Sequence, residues 1–340
     1  MVTIDVCDGV QSMKKILMLN LMPPTIADTL HVVPFAFQLK ACYLCDIHIT
    51  CGLLAKEVLA GFSEFKRLLH VPELDAPHPC DENIMLTLQS LKNEKYDKIY
   101  VLHPTKGADI AWTIGAKEIF GFSDSGSSML TASKSFDKIG KRHIADKLMD
   151  LLRLDGLNVP SLHHHCVGRK IEDEKLVNVI LKTKIPFLKG TYVDDIDKVC
   201  MFVGMHTFTK DKTKLWPIEH YINIAKFIIN ELNGTVILFG SGSEREYNER
   251  IVNECGVGVF NTCGLLDIEE ACAAMNSCRL FVGNDSGLVH LANACGVDVL
   301  VLYVAGRVRA GYPLGVGPVR TISLSCKPST VKRRIRNVLR

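Results

Sequence analysis

The sequence predicts an α/β protein of two domains, each a parallel sheet covered by helices, with the sheets facing a common cleft. Three observations carry this. Short β-branched runs alternate with helical stretches along almost the whole chain, the order that lays parallel strands between helices. The strand segments are apolar at successive positions, as strands buried on both faces must be. The length of 340 residues exceeds one ordinary core and suits two.

In the first half, strands are expected over 15–21, 47–51, 98–103 and 118–122. Helices are expected over 28–43, kinked at Pro34 because proline lacks the N–H a helix needs, and over 84–93, 107–115 and 140–154. The second half is more regular, with strands over 199–205, 235–239, 257–261, 280–283 and 298–303. Helices over 218–232, 244–255, 268–277 and 288–295 separate them. The change-over falls at 185–198, where Pro186, Gly190 and the charges from Asp194 to Lys198 interrupt the apolar pattern. Domains of residues 1–190 and 191–325 follow, with a basic helix over 326–340.

Composition excludes several classes. With 47% hydrophobic and 23% charged residues, the chain can bury large cores and is not a disordered polyelectrolyte. A net charge of +3 creates no field that would draw nucleic acid to the whole protein. The first apolar run, 16–21, is too short to span a bilayer, and Asp5 and Asp8 do not suit a signal peptide, so the cytoplasm is expected. The thirteen cysteines are odd in number and scattered through apolar runs, which reads as reduced core residues. Cys42 and Cys45 have CxxC spacing without a second pair. The three histidines of His163-His164-His165-Cys166 are adjacent and cannot all turn to one ion from a strand. Asp195-Ile196-Asp197 matches a metal-binding DxD pattern, but a linker needs polar residues there anyway. No metal and no other cofactor is expected.

The strongest local signal is Asp285-Ser286-Gly287-Leu288-Val289-His290, which follows the apolar run 280–283. A helix starting at Ser286 or Gly287 directs its unpaired N–H groups and positive dipole end at the cleft, a ready site for phosphate. The bland alternative is a helix cap followed by a core histidine. Two further turns lie at the same sheet edge. One runs from His206 and Thr207 through Thr209 and Lys210 to Lys214-Leu215-Trp216-Pro217, mixing hydroxyls with lysines. The other is Gly240-Ser241-Gly242-Ser243-Glu244, whose carboxylate could accept from ribose hydroxyls.

Together these three elements resemble the ADP-heptose:lipopolysaccharide heptosyltransferases, glycosyltransferase family 9, over most of residues 200–305. Ile26-Ala27-Asp28-Thr29-Leu30 with Pro34 is similar to the family's Gly-Asp turn after the first strand, although Ala27 stands at the usual glycine. The resemblance implies a GT-B architecture of two Rossmann-like domains, the N-terminal one binding acceptor and the C-terminal one binding nucleotide sugar. It implies Thr207, Thr209 and Lys214 on the phosphates, Glu244 on the ribose and Leu266 on the adenine. Asp285, Ser286, Gly287, Leu288 and His290 would line the diphosphate and sugar, with Lys106 toward the acceptor and Asp28 as the base.

The chemistry asks for such parts. Inverting transfer needs a base for the acceptor hydroxyl and fixed positive charge for the departing diphosphate. Implied partners are an ADP-sugar donor and a glycan or lipid-linked acceptor, with no nucleic acid. The alternatives are a nucleotide-sugar epimerase, a UDP-sugar transferase or a silent nucleotide-sugar-binding module. A dinucleotide oxidoreductase ranks lower, since no G-x-G-x-x-G opens the first strand-helix unit. The basic tail from Val331 to Arg340 either meets an anionic membrane surface or docks Val331, Ile335, Val338 and Leu339 back onto the N-terminal domain. Docking is the favoured expectation.

Overall fold

The computed structural model of the chain describes residues 13–22, 25–76, 81–136, 142–159, 201–304 and 311–339. The expected linker 185–198, His163 to Cys166 and Asp195 to Asp197 lie outside them. The first sheet contains β1 (Lys14–Leu19), β2 (Cys45–Cys51), β3 (Phe65–His70), β4 (Tyr96–Val101), β5 (Ala116–Phe122) and β6 (Ala132–Lys134). The second contains β7 (Met201–His206), β8 (Gly234–Leu238), β9 (Val259–Asn261), β10 (Leu280–Asn284), β11 (Val299–Tyr303) and β12 (Val319–Ser323). Their orders are β3-β2-β1-β4-β5-β6 and β12-β11-β10-β7-β8-β9, and every pairing is parallel. Counted from each domain's first strand, the two orders are the same. Both are doubly wound, with the direction of winding reversing between β1 and β4 and between β7 and β10.

The helices are α1 (Ile26–His31), α2 (Val33–Cys42), α3 (Leu53–Leu59), α4 (Asp81–Leu88), α5 (Ala108–Ile114), α6 (Ile144–Leu148), α7 (Asp150–Leu154), α8 (Ile218–Leu232), α9 (Arg245–Cys255), α10 (Ile268–Asn276), α11 (Gly287–Ala294) and α12 (Pro328–Leu339). The expected helix 28–43 is interrupted at Val32, and Pro34 opens the second piece, where a missing N–H costs nothing. The expected helix 140–154 is likewise two short pieces. Strands β3, β6 and β12 and helix α3 go beyond the sequence reading. Each strand is an edge or near-edge element with charged or partly exposed residues, so none has the apolar run of a central strand.

Each sheet is covered on both faces. Ile16 and Met18 of β1 join one core and Leu17 and Leu19 the opposite one, the alternation of a strand. The second sheet divides in the same way, with Val299 and Val301 on one side and Leu300 and Leu302 on the other. Each such wholly buried side chain contributes roughly 1.5–3 kcal/mol. The tail corrects an expectation: Val331 and Ile335 of α12 are buried in the C-terminal core with Ile224 and Phe227 of α8, not on the N-terminal domain. The reason is connectivity, since α12 follows the edge strand β12 and returns over the same sheet.

Polar groups lock the N-terminal domain. Asp155, after α7, accepts from Tyr43 at 2.8 Å, Tyr100 at 2.6 Å and Lys98 at 2.5 Å. Lys98 and Asp155 have side chains only 5% and 4% exposed. The domains meet through α1 and α11, where a Cβ on Gly287 would lie 2.9 Å from that of Ile26. His143, ahead of α6, accepts from the Ala145 N–H at 3.1 Å and donates through Nε2 to the Tyr312 carbonyl at 3.0 Å. Burial pushes its imidazole down to about 4, against the opposing pull of that carbonyl.

Two outcomes follow from this packing. Replacing Asp155 by alanine leaves the buried Lys98 ammonium with Glu118 alone, at 2.7 Å, and takes the acceptor from Tyr43 and Tyr100, so it should destabilise the fold by about 1–3 kcal/mol in urea unfolding; an unchanged stability would show the Asp155 contacts to be idle. His143 titrates near 6.5 when unfolded and lower when folded, so the unfolded chain takes up the proton first as pH falls. Stability is then complete above about pH 6.5 and declines toward pH 4, by about 3 kcal/mol for this group. His143→Gln should flatten that part of the stability profile, and an unchanged slope would refute the assignment.

Candidate active site between the domains

In a doubly wound sheet the chain leaves adjacent strands in opposite directions at the reversal point, opening a crevice at their carboxyl ends. Asp28 follows β1, His206 ends β7 and Asp285 follows β10. These three residues thus stand at the reversal points of the two sheets.

A cavity of about 400 Å³ lies there, within the range of small-ligand sites. Its walls include Thr25, Ile26, Ala27 and Leu54 from the N-terminal domain. His206, Glu244, Leu266, Ile268, Ala271, Gly287 and Leu288 contribute from the C-terminal one. One end is apolar, formed by Leu266, Ile268, Ala271 and Leu54, and the polar groups gather around His206.

His206 is the brace of the C-terminal wall. Its Nε2 lies 2.9 Å from Glu244 Oε2 and its Nδ1 lies 2.7 Å from Ser286 Oγ. One imidazole thereby fixes the turn after β8 against the turn after β10. The second oxygen of Glu244 accepts from Ser241 at 2.9 Å. Burial resists ionisation of Glu244, yet the His206 and Ser241 contacts outweigh it and hold the carboxyl below its usual range. Gly240 is required beneath this carboxylate, since a Cβ there would lie 2.8 Å from Cys263 Sγ.

Ser286 occupies the N-cap of α11 without a side-chain bond to its own helix. Its hydroxyl is turned to His206 instead, so the simple capping alternative does not describe it. Gly287 and Leu288 open the helix and line the cavity, which presents its first turn to an anion. Asp285 forms an ion pair with Lys214 at 2.6 Å and stands 3.9 Å from His290 Nε2. Burial opposes the charge on Asp285, and His290 with Lys214 overcomes it, so this carboxyl also sits below its usual range.

The lysine-bearing loop is itself anchored. Buried Asn284 accepts from Tyr221 Oη at 2.9 Å and the Trp216 N–H at 3.3 Å, and donates to the Thr207 carbonyl at 3.2 Å. Trp216 is wholly buried and donates to the Cys326 carbonyl. Thr207 is wholly buried as well, its hydroxyl donating to Asn248 at 2.5 Å, so it supports the loop from behind. Thr209 is half-buried and accepts the Asp211 N–H at 3.3 Å.

On the opposite wall, Thr25 caps α1 by accepting the Asp28 N–H, and its hydroxyl donates to Asp28 Oδ2 at 2.6 Å. Asp28 is therefore the third residue of the helix and not its cap. Its other oxygen lies 4.0 Å from His31 Nδ1, and its side chain is 38% exposed. Lys106 lies in the turn between β4 and α5 and is not part of the cavity wall. Cys42 and Cys45 are both free thiols. Among the described residues no cluster of three or more His, Cys, Asp or Glu is arranged to hold a metal.

The structure therefore gathers Glu244, Leu266, Gly287 and Leu288 on the wall of one cavity, with Ser286 bonded to His206 of that wall and Lys214, Asp285 and His290 in a connected cluster beside Ser286; Asp28, Thr207 and Thr209 are not part of the wall itself. The sequence places His206 in one of these turns without giving it a role, and gives none to Asn284. Their signal was a polar residue closing an apolar strand, legible only as an anomaly until its partners are seen.

Comparison with known proteins agrees with this arrangement. The model of glycosyltransferase family 9 (heptosyltransferase) matches residues 85–335. Lipopolysaccharide heptosyltransferase 2 of Salmonella typhimurium is 36% identical over 94 residues, covering 26% of this chain and 27% of that protein. The chain thus matches about a quarter of the length of this curated relative. In structure, the glycosyl transferase family 9 protein of Veillonella parvula superposes with a TM-score of 0.80 at 19% identity, covering 96% and 97% of the two chains. The E. coli ADP-heptose lps heptosyltransferase II gives 0.78 at 21% identity, covering 96% and 98%. These likenesses show a shared GT-B fold, and because the family model covers residues 85–335, well over half of the chain, the chain belongs to glycosyltransferase family 9.

Proposed function

We propose that this chain is an inverting glycosyltransferase that moves a heptose, or a related sugar, from an ADP-linked donor to a hydroxyl of a glycan acceptor such as lipopolysaccharide core. The observation that carries the reading is the His206 brace, which ties Glu244 to Ser286 at the start of α11, beside a cavity lined by His206, Glu244 and Gly287 on one side and by Thr25, Ile26 and Ala27 of the α1 segment on the other. The family match supports transfer over the epimerase and UDP-donor alternatives.

In this reading the adenine packs at the apolar end against Leu266, and Glu244 accepts from the ribose. The diphosphate lies at the α11 N-terminus beside Lys214. Asp28 removes the acceptor's hydroxyl proton as its oxygen attacks the anomeric carbon. The bond from that carbon to the diphosphate breaks with its electron pair on the leaving oxygen. Lys214 and the first turn of α11 meet the growing charge without reorganising. They supply positive charge of the kind a metal ion would bring, and the reaction is proposed to need no metal.

Enzyme action is placed at the cytoplasmic side, with peripheral membrane contact through α12. Its apolar face is already buried on α8, and Lys332 and Arg336 lie over Phe227. Arg333 and Arg334 remain exposed, so such contact is electrostatic and carries about 1 kcal/mol per basic residue. No helix among the described residues is long and apolar enough to cross a membrane.

Two measurements check the proposal. With ADP-heptose and a core-oligosaccharide acceptor, Asp28→Ala should lower transfer by about 10²–10⁴-fold with ADP affinity preserved. Lys214→Ala should weaken ADP binding about tenfold or more, and chelator should leave the wild-type rate unchanged. Full transfer by the Asp28 variant, or undiminished ADP binding by the Lys214 variant, would overturn the mechanism. For the membrane, sedimentation with phosphatidylglycerol vesicles at low salt should retain wild type and lose the double variant Arg333→Glu, Arg334→Glu. Equal retention on phosphatidylcholine vesicles would refute an electrostatic contact.

A further inference from the structure

His31 is the buried polar side chain that the reading above leaves unused. It is 5% exposed, and neither ring nitrogen has a hydrogen-bond partner. Leaving a buried donor or acceptor unsatisfied costs roughly 1–3 kcal/mol. An apolar residue would fill the same space without that cost.

Its surroundings give the imidazole a direction. His31 lies one helical turn after Asp28, with Nδ1 4.0 Å from Asp28 Oδ1, just beyond a hydrogen bond. On its other side the ring meets His290 of α11 edge to face, at 5.4 Å between centroids, and His143 at 4.9 Å. His290 in turn faces Asp285, 3.9 Å away, and Asp285 holds Lys214. Two carboxylates, one from each domain, are thus each faced by an imidazole, and the two imidazoles pack on each other across the interface. His143 is occupied by Tyr312 and Ala145 and is not available to Asp28.

We propose that His31 is a positioning residue for Asp28: as a neutral imidazole it donates its Nδ1 proton to the Asp28 carboxylate, fixing that carboxylate toward the acceptor hydroxyl while its ring rests on the donor domain through His290. The proposal rests on the transferase reading. Burial, with His290 and His143 beside it, drives the affinity of His31 for a second proton well below that of a free imidazole. It therefore stays neutral where enzymes of this kind work and takes no proton in the reaction. The acceptor's proton ends on Asp28, and His31 only steadies the base. Its contact with His290 also ties the base to the helix whose first turn receives the diphosphate.

The groups facing the Asp28–His31 pair among the described residues are Thr25 on the same helix segment, His290 and Asp285 from the α11 turn, Lys214 behind Asp285, and His143. None of them other than His31 and Thr25 is bonded to Asp28 or within ion-pair distance of it.

The test compares His31→Phe, which keeps the buried ring and removes both nitrogens, with His31→Asn, whose amide can still donate from a similar place. Transfer should fall about tenfold in His31→Phe, a part of the ~10²–10⁴-fold a positioned base contributes, with ADP binding unchanged. The loss should fall on kcat and not on KM in His31→Phe, and His31→Asn should recover most of it. Wild-type kcat in His31→Phe would overturn the proposal. So would an equal loss in both variants accompanied by equal loss of thermal stability, the mark of a packing role. An imidazole ¹⁵N spectrum decides the point without any acceptor. His31 should carry its proton on Nδ1 in the wild type and lose that preference in Asp28→Ala, and a proton on Nε2 in both would sink the assignment. If the wild type transfers no sugar from ADP-heptose, the transferase reading fails, whereas the spectrum still judges the contact between His31 and Asp28.

Discussion

A parallel strand can deliver the turn that follows it only to its own carboxyl end. Because both sheets are wholly parallel and wound alike, the turns after β1, β7, β8 and β10 have no other place to go than the facing edges of the two domains. The cavity, the braced wall and the opposing Asp28 helix all inherit their positions from that constraint. The helices that cover the sheets, with their extensive cores, hold those edges still enough for hydrogen bonds between turns far apart in sequence.

The polar architecture of the C-terminal wall is layered. Nearest the cavity, His206 joins Glu244 to Ser286. Behind it, Asn284 gathers the end of β10, the Trp216 segment and α8, and Thr207 bonds Asn248. Each of these groups is buried and paired, which in a medium of low dielectric makes the arrangement rigid. The pairing also explains how the half-buried Asp285 carboxylate is tolerated at the start of α11. Asp285 is neutralised by Lys214, so the first turn of α11 keeps its attraction for negative charge.

Close contact between domains depends on one small residue. Glycine at 287 is named from the sequence as a helix start beside the expected site, and the structure gives a packing reason for it. Ile26 of the opposing helix rests there, at a distance that a side chain would not allow. The same position therefore lines the cavity and permits the fit of the two domains.

Amino-acid order by itself determined the fold class, the doubly covered parallel sheets and most central elements, because apolar runs at strand and helix period are local signals. It also marked the turn from Asp285 to His290, since a strand end followed by a glycine-bearing helix start is contiguous. Edge strands such as β3 and β12 were not legible, as exposure removes the pattern that betrays a strand. Nor was the resting place of α12, whose apolar stripe fits either domain until the return path from β12 is known. Only the tertiary structure decided that His206 joins Glu244 to Ser286, that Asn284 anchors the lysine loop and that His31 meets His290. Those contacts link residues 38 to 80 positions apart in the C-terminal wall, and a side chain's partner across such a span is set by sheet order and helix packing, not by its neighbours in the chain.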